Sequence, residues 1–83
     1  MRSAFYLLEE LLAEIAKTLV DHPEDVLVRT IQGQALSILE LRVHLEDLGK
    51  VIGRNGRTAN ALRTIIGAAG RKLHEHVTVE IID

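Results

Sequence analysis

The chain has 83 residues, of which 47% are apolar and 27% are charged, so the composition predicts one small globular domain over residues 1–83. The absence of cysteine excludes disulfides, a thiol nucleophile and a thiolate metal site. No apolar run is long enough to span a membrane. The segment Met1–Leu12 carries Glu9 and Glu10 among its apolar residues, unlike a signal peptide. We therefore expect a cytoplasmic protein.

The formal net charge of −2 argues, taken alone, against a nucleic-acid-binding domain, because such domains are usually basic overall. The charges are segregated, however. The segment Leu48–His74 contains six basic residues and no acidic one, whereas the rest of the chain contains four basic and twelve acidic residues. A local field depends on this distribution rather than on the sum. One surface of the protein is therefore expected to be cationic.

The first half of the chain predicts a helix followed by a β-hairpin. The segment Ser3–Asp21 has apolar residues at helical spacing, and Ser3 is a plausible N-cap. The strands Val26–Ile31 and Ala35–Val43 follow, joined by a three-residue loop in which Gly33 takes a positive φ. The predicted apolar stripe of the helix consists of Ala4, Leu8, Leu11, Leu12, Ile15, Leu19 and Val20.

The second half predicts two helices and a last strand. A short helix covers Leu45–Ile52, with Glu46 and Asp47 in its first turn, where the helix dipole favours acidic side chains. A longer helix covers Arg57–Leu73, and Val77–Ile82 alternates as a strand does.

The order helix, strand, strand, helix, helix, strand defines the expected fold class, which is α+β. The second and third strands are joined by a helical crossover, so they should be parallel if they are neighbours. We therefore predict a three-stranded mixed sheet with three helices on one face.

The turn between the last two helices is the most informative part of the sequence. Gly53 and Gly56 bracket two polar residues, and a Gly-x-x-Gly turn lets another backbone approach closely because no Cβ intrudes. The start of the following helix suits a phosphate group. Arg54 lies at the tip of the turn, and Lys50 and Arg57 flank it. This arrangement favours binding of a phosphodiester chain. The less favoured interpretation is that the two glycines only form an ordinary helix cap and turn.

Other functional motifs are weak. The loop lacks the Gly-x-Gly-x-x-Gly and Gly-Lys-Ser/Thr patterns of nucleotide-binding sites. His74 and His76 could share one face of a strand, but two histidines without a third ligand nearby rarely bind a metal. No nucleophile with a matching base can be located. We therefore expect no enzyme activity, no cofactor and no metal.

The segment Val51–Gly56 resembles the Val-Ile-Gly-x-x-Gly signature of the KH domain, whose loop clamps about four nucleotides of single-stranded nucleic acid. The order of elements is similar to the type II KH topology. The chain as a whole resembles the KhpA family of small bacterial proteins with one KH domain. Beyond the signature, the matching segments are Leu19–Glu24, Glu46–Lys50, Arg57–Ala59, Ala61–Thr64 and Val79–Ile81.

The resemblance implies a cytoplasmic RNA-binding protein of the RNA-chaperone type. It also implies a homodimer, or a heterodimer with a larger KH-containing partner known as KhpB, Jag or EloR, and a link to cell shape. The loop of the family usually holds a basic and then a polar residue, which Arg54 and Asn55 match, although Asn55 is shorter than usual. The alternative function is that of a KH-like protein-interaction or assembly subunit in which RNA binding is weak or vestigial.

The residues suggest how RNA would bind. The loop amides, with Lys50, Arg54 and Arg57, would hold the sugar-phosphate chain. An aliphatic floor for the bases would come from Val51, Ile52, Leu62 and one face of the strand Ala35–Val43. No aromatic side chain lies near the loop in sequence, so base stacking, worth about 1–3 kcal/mol per base elsewhere, is not expected. Binding should therefore be weak and sequence-tolerant, and strengthened by dimerisation. The predicted RNA-binding residues are Lys50, Val51, Ile52, Gly53, Arg54, Asn55, Gly56, Arg57, Asn60 and Arg63, the last of which, or Asn60, would contact a base edge.

Overall fold

A computed structural model describes residues 3–83 of the chain, and this part contains three α-helices and three β-strands in the predicted order. Short 3-10 turns at Pro23–Asp25, Leu45–Asp47 and Arg54–Gly56 precede the first strand, the second helix and the third helix. No helix within residues 3–83 is long and apolar enough to cross a bilayer. The elements are α1 (Ala4–Leu19), β1 (Leu27–Ile31), β2 (Ser37–Arg42), α2 (Leu48–Ile52), α3 (Arg57–Lys72) and β3 (Val77–Ile82).

Helix α1 begins as the sequence predicts, because the Ser3 hydroxyl accepts a hydrogen bond from the Tyr6 amide at 3.2 Å. Its buried residues are Leu8, Leu12 and Ala16, each four residues after the last. The predicted stripe was too wide. Leu11 and Leu19 are 38% and 37% exposed, whereas Ala16, which the stripe omitted, is fully buried. Ala16 is as fully buried as Leu12, so the buried stripe includes a small side chain.

The three strands form one mixed sheet in the order β1-β2-β3. Strand β1 pairs antiparallel with β2, and β2 pairs parallel with β3, with Leu39 opposite Val79 and Leu41 opposite Ile81. This parallel pair confirms the prediction of a helical crossover. Helices α2 and α3 return the chain to the end of the sheet at which β2 begins, so β3 runs in the same direction as β2. The topology agrees with the type II KH arrangement that the resemblance implies.

The core lies between one face of the sheet and the helices. Alternate residues of β2 and β3 point into it, while their neighbours lie on the opposite face of the sheet. The helices supply the other side of the core from one stripe of each. The buried core consists of Leu8, Leu12, Ala16, Leu39, Leu41, Val51, Leu62, Ile66, Val77 and Val79.

The hairpin loop differs from the prediction. It spans residues 32–36 rather than three residues, and Gly33 does not take a positive φ. The glycine is needed for space instead, because the Leu36 carbonyl oxygen occupies the position where a Cβ would lie. The Gly33 amide donates to the Ser37 hydroxyl at 3.3 Å, which closes the loop with a side chain.

The buried carboxylate of Asp47 connects the end of α1 to the start of α2. Asp47 is fully buried, and its oxygens accept hydrogen bonds from the backbone amides of Asp21 at 3.2 Å and His22 at 2.9 Å. The His22 ring Nδ1 lies 2.9 Å from the same carboxylate, and Lys50 Nζ lies 3.3 Å from it. Asp47 lies in a first helical turn with Glu46, as the sequence predicts, and in addition it bonds a segment 25 residues away, which the sequence does not indicate.

These contacts shift two pKa values in opposite directions. Burial raises the pKa of Asp47, but the hydrogen bonds from the His22 ring, the two amides and Lys50 outweigh burial and hold that pKa well below its usual range. The hydrogen bond to Asp47 raises the pKa of His22. The Asp47 contribution to stability is therefore lost as the pH falls below about 4, and the His22 contribution is lost as the pH rises above about 6.5.

We therefore expect replacement of Asp47 by Asn to lower the melting temperature, by at least about 5 °C for a domain of this size. The amide cannot accept from four donors as the carboxylate does. The difference in melting temperature between the wild type and Asp47→Asn should be largest between about pH 4.5 and 6.5 and should shrink on both sides. Thermal unfolding followed by circular dichroism across pH 3–9 checks this, and a difference that is constant with pH would contradict it.

Candidate nucleic-acid interface

The loop between α2 and α3 has an unusual backbone. Gly53 ends α2 with φ 77° and ψ 169°, and Gly56 precedes α3 with φ 73°. Asn55 also has a positive φ, of 57°. Asparagine is among the few residues other than glycine that adopt this conformation readily. The backbone conformation of the loop thus favours asparagine at position 55, independently of any contact with RNA.

Different constraints require glycine at positions 53 and 56. A Cβ on Gly53 would lie 2.8 Å from the Thr58 amide nitrogen, so internal packing excludes any side chain there. Nothing lies within 4 Å of the position of a Cβ on Gly56. Gly56 is required by its φ alone. Its uncovered side leaves the backbone at the start of α3 open to a ligand.

The start of α3 carries the charge pattern of an anion site. No side chain caps its N-terminus, and its first turn contains no acidic residue. Arg57 is its first residue, where the helix dipole disfavours a cation. Arg54 and Arg57 are exposed, and within residues 3–83 no acidic side chain forms a salt bridge with either of them. Their charge is therefore available to a phosphate.

Lys50, which the sequence groups with these arginines, is differently placed. Its Nζ lies 3.2 Å from Asp21 Oδ2 and 3.3 Å from Asp47 Oδ1. The hydrogen bond to Asp21, followed by that to Asp47, raises the pKa of Lys50. Lys50 stays protonated, but two carboxylates neutralise its field. Sequence reasoning missed both carboxylates, because neither lies in the acid-free segment.

Two side chains of the predicted aliphatic floor are buried in the core. Val51 is fully buried and Leu62 is 2% exposed, and both belong to the core. The prediction that these two side chains line a groove for the bases was therefore wrong, since apolar spacing alone does not distinguish the core face of a helix from a ligand-binding face. Ile52 remains, being 38% exposed.

Asn60 and Arg63 lie further along α3 and contact each other and β3. Arg63 Nε donates to the Val79 carbonyl oxygen and Nη1 donates to Asn60 Oδ1, each at 3.0 Å. Arg63 lies six residues after Arg57, about 9 Å along the helix axis. The structure therefore groups Gly53, Arg54, Asn55, Gly56 and Arg57 at one loop, with Lys50 and Ile52 beside it in α2, and places Asn60 and Arg63 one to two turns away.

The difference between the two glycines is testable. Replacement of Gly53 by Ala should lower the free energy of unfolding by about 2–3 kcal/mol, because both its backbone conformation and its contact with Thr58 exclude a Cβ. Replacement of Gly56 by Ala should cost about 1 kcal/mol, the strain of a left-handed residue alone. Urea unfolding of the two variants measures the difference, and equal losses would contradict it.

The chain is similar in sequence to known proteins over most of its length. Residues 9–81 match the family described as KhpA/KhpB, KH domain. It is 53% identical to the RNA-binding protein KhpA of Clostridium perfringens over 75 residues, which is 90% of this chain and 100% of that one. It is 51% identical to that of Streptomyces coelicolor, over 93% of this chain and 94% of the relative. With the protein of Aquifex aeolicus the identity is 46%, over 92% and 96%.

No solved structure matches the chain. The family match covers all six elements, except the first five residues of α1 and the last residue of β3, and includes the Gly-x-x-Gly loop. The chain therefore belongs to the KhpA/KhpB family of KH-domain proteins.

Proposed function

We propose that the protein binds single-stranded RNA without catalysing a reaction, and that the loop Gly53–Gly56 grips the sugar-phosphate chain. The observation that carries this proposal is the pairing of an open backbone at Gly56 with two arginines that no acidic side chain of residues 3–83 neutralises. The curated relatives are named RNA-binding proteins, and their family is a non-enzymatic one. Both facts support transfer of RNA binding to this chain.

The residues in and beside the loop have different proposed roles in binding RNA. A phosphate would approach over Gly56 towards the positive end of the α3 dipole, and Arg54 and Arg57 supply the opposing charge. The Gly56 and Arg57 amides donate to the carbonyl oxygens of Gly53 and Arg54, so the arginine side chains make the main contacts. Ile52 offers an exposed apolar contact for one base. Val51 supports the loop from the core rather than touching RNA. Lys50 contributes less than the arginines, because its charge is shared with Asp21 and Asp47.

One such loop makes few phosphate contacts, and the two aromatic residues lie on α1, outside the loop and the helices that flank it. We therefore propose weak, sequence-tolerant binding by a single chain in the cytoplasm, of the kind expected of an RNA chaperone. Dimerisation would raise the affinity through avidity. The candidates for the second subunit are another copy of this chain and a KhpB-type protein.

The loop assignment is tested by the double variant Arg54→Asp with Asn55→Asp. It places acidic groups where a phosphate would bind, so the affinity for a single-stranded RNA 12-mer should fall at least about tenfold, or about 1.4 kcal/mol. Fluorescence anisotropy measures the affinity, and circular dichroism checks that the variant remains folded.

The matched control is Arg71→Asp with Lys72→Gln, which changes the net charge by the same amount. These exposed residues lie in the last turn of α3, about 22 Å along the axis from its start. We expect a loss of less than about threefold. Equal losses in both variants would show that net charge, not the loop, governs binding. Unchanged affinity in the folded loop variant would favour the assembly-subunit function instead.

The salt dependence of binding gives a second, independent prediction. Contacts with about two to four phosphates predict that log K falls against log salt with a slope of about −1.4 to −2.8. Arg54→Ala and Arg57→Ala should each reduce the steepness by about 0.7, whereas Lys50→Ala should reduce it less. Titrations between about 50 and 200 mM salt measure these slopes. A Lys50→Ala effect as large as that of the arginines would contradict the assigned roles.

A further inference from the structure

Three potential metal ligands converge on the surface beside Asp47. His22 follows α1, and His44 and Glu46 immediately precede α2, so the fold joins two segments that are far apart in sequence. One donor atom from each lies within 4.8 Å of the others. In the part of the chain that the structure describes, no other three His or acidic residues converge in this way. His74 and His76, the pair that the sequence suggests, take no part.

The three side chains are accessible to an ion from solvent. The side chains of His22 and His44 are 36% and 34% exposed, and that of Glu46 is 74% exposed. His22 Nε2 lies 3.7 Å from Glu46 Oε1, and His44 Nδ1 lies 3.9 Å from the same oxygen. The carboxylate thus lies close to both rings, as a shared ligand set requires.

His22 is held in the tautomer and orientation that a metal ligand needs. Its Nδ1 lies 2.9 Å from Asp47 Oδ2, and the same carboxylate accepts two backbone N–H groups. Because a carboxylate in this position only accepts, the ring carries its proton on Nδ1. In the neutral ring the lone pair is then on Nε2, on the side of Glu46, and an ion that binds there displaces any proton that Nε2 carries. A carboxylate behind a histidine is the outer partner that zinc-binding histidines commonly have.

We propose that His22 Nε2, the His44 imidazole and the Glu46 carboxylate form a binding site for a divalent zinc-class ion, with Asp47 as the outer partner of His22. Two imidazoles and one carboxylate are a common ligand set for zinc, and water fills the fourth position. First-row metals with the same preference for imidazole, such as Co²⁺, would bind by the same contacts. The site does not depend on the RNA-binding proposal.

The spacing requires small movements. At Zn–ligand distances of about 2.1 Å, tetrahedral ligands lie about 3.4 Å apart. The 3.7 and 3.9 Å separations from Glu46 must therefore shorten by up to about half an ångström, and the separation of the two histidine nitrogens, which is within 4.8 Å, by up to about 1.4 Å. The two rings, stacked at a centroid distance of 4.0 Å, must open towards the ion. His44 Nδ1 accepts the Glu46 amide at 3.0 Å, and an ion bound at Nδ1 replaces that bond. These costs predict micromolar rather than nanomolar affinity.

The experiment is isothermal titration of the tag-free chain with zinc chloride at pH 7 in a buffer that does not bind zinc. We expect one zinc ion per chain. His44→Asn removes the imidazole while its amide oxygen can still accept the Glu46 amide, and Glu46→Gln removes the carboxylate. Each should weaken zinc binding at least about tenfold. Neither variant removes a hydrogen bond of Asp47 with Asp21 or His22, and circular dichroism checks the fold.

The control is His74→Ala with His76→Ala, which removes the same residue type elsewhere and should leave the zinc affinity within about twofold. In histidine NMR spectra, zinc should shift the ring signals of His22 and His44 and leave those of His74 and His76 in place. Absence of binding to the wild type would overturn the proposal. So would wild-type affinity in folded His44→Asn and Glu46→Gln, or loss of binding in the control.

Discussion

The Asp47 carboxylate makes the contacts on which the position of α2, and of the loop that follows it, depends. Helix α2 has only five residues, too few to be stable by its own hydrogen bonds. Two contacts fix its position. Val51 packs in the core, and Asp47, which directly precedes α2, accepts hydrogen bonds from the segment after α1. Because α2 ends directly at Gly53, these two buried side chains determine where the loop begins.

The structure shows which of the basic residues are paired with other groups and which are not. A net charge of −2 conceals an acid-free segment, but not every cation in that segment has the same electrostatic effect. Lys50 lies between two carboxylates and Arg63 hydrogen-bonds β3, whereas Arg54 and Arg57 lie exposed at the loop. The cationic surface is therefore smaller than the sequence suggests and is centred on the start of α3. The acidic remainder disfavours binding of nucleic acid elsewhere.

Most of the fold could be predicted from the sequence, because it rests on local regularities. The alternation of Val77, Val79 and Ile81 and the spacing of Leu8 and Leu12 reflect elements whose one face is buried. The parallel pairing of β3 follows from the length of its connection to β2. The glycines and charges likewise revealed the loop.

The remainder depends on contacts between distant segments, for which one sequence has no signal. Asp47 looks like an ordinary residue of a helix start, and only the fold brings the Asp21 and His22 amides to it. His22 and His44 stack although 22 positions separate them. Val51 was assigned to the ligand because the helix that carries it is too short to show which of its faces is buried.

The parallel pairing of β2 with β3 has a consequence for how the protein forms. The two strands meet only after residues 43–76 have been arranged between them, and the Gly53–Gly56 loop lies within this crossover. Closing a long connection before its contacts are made is the slow part of folding a sheet of this kind. The Gly53–Gly56 turn therefore lies within the connection whose closure brings β2 and β3 together, and a change in the turn alters that connection as well as the exposed loop.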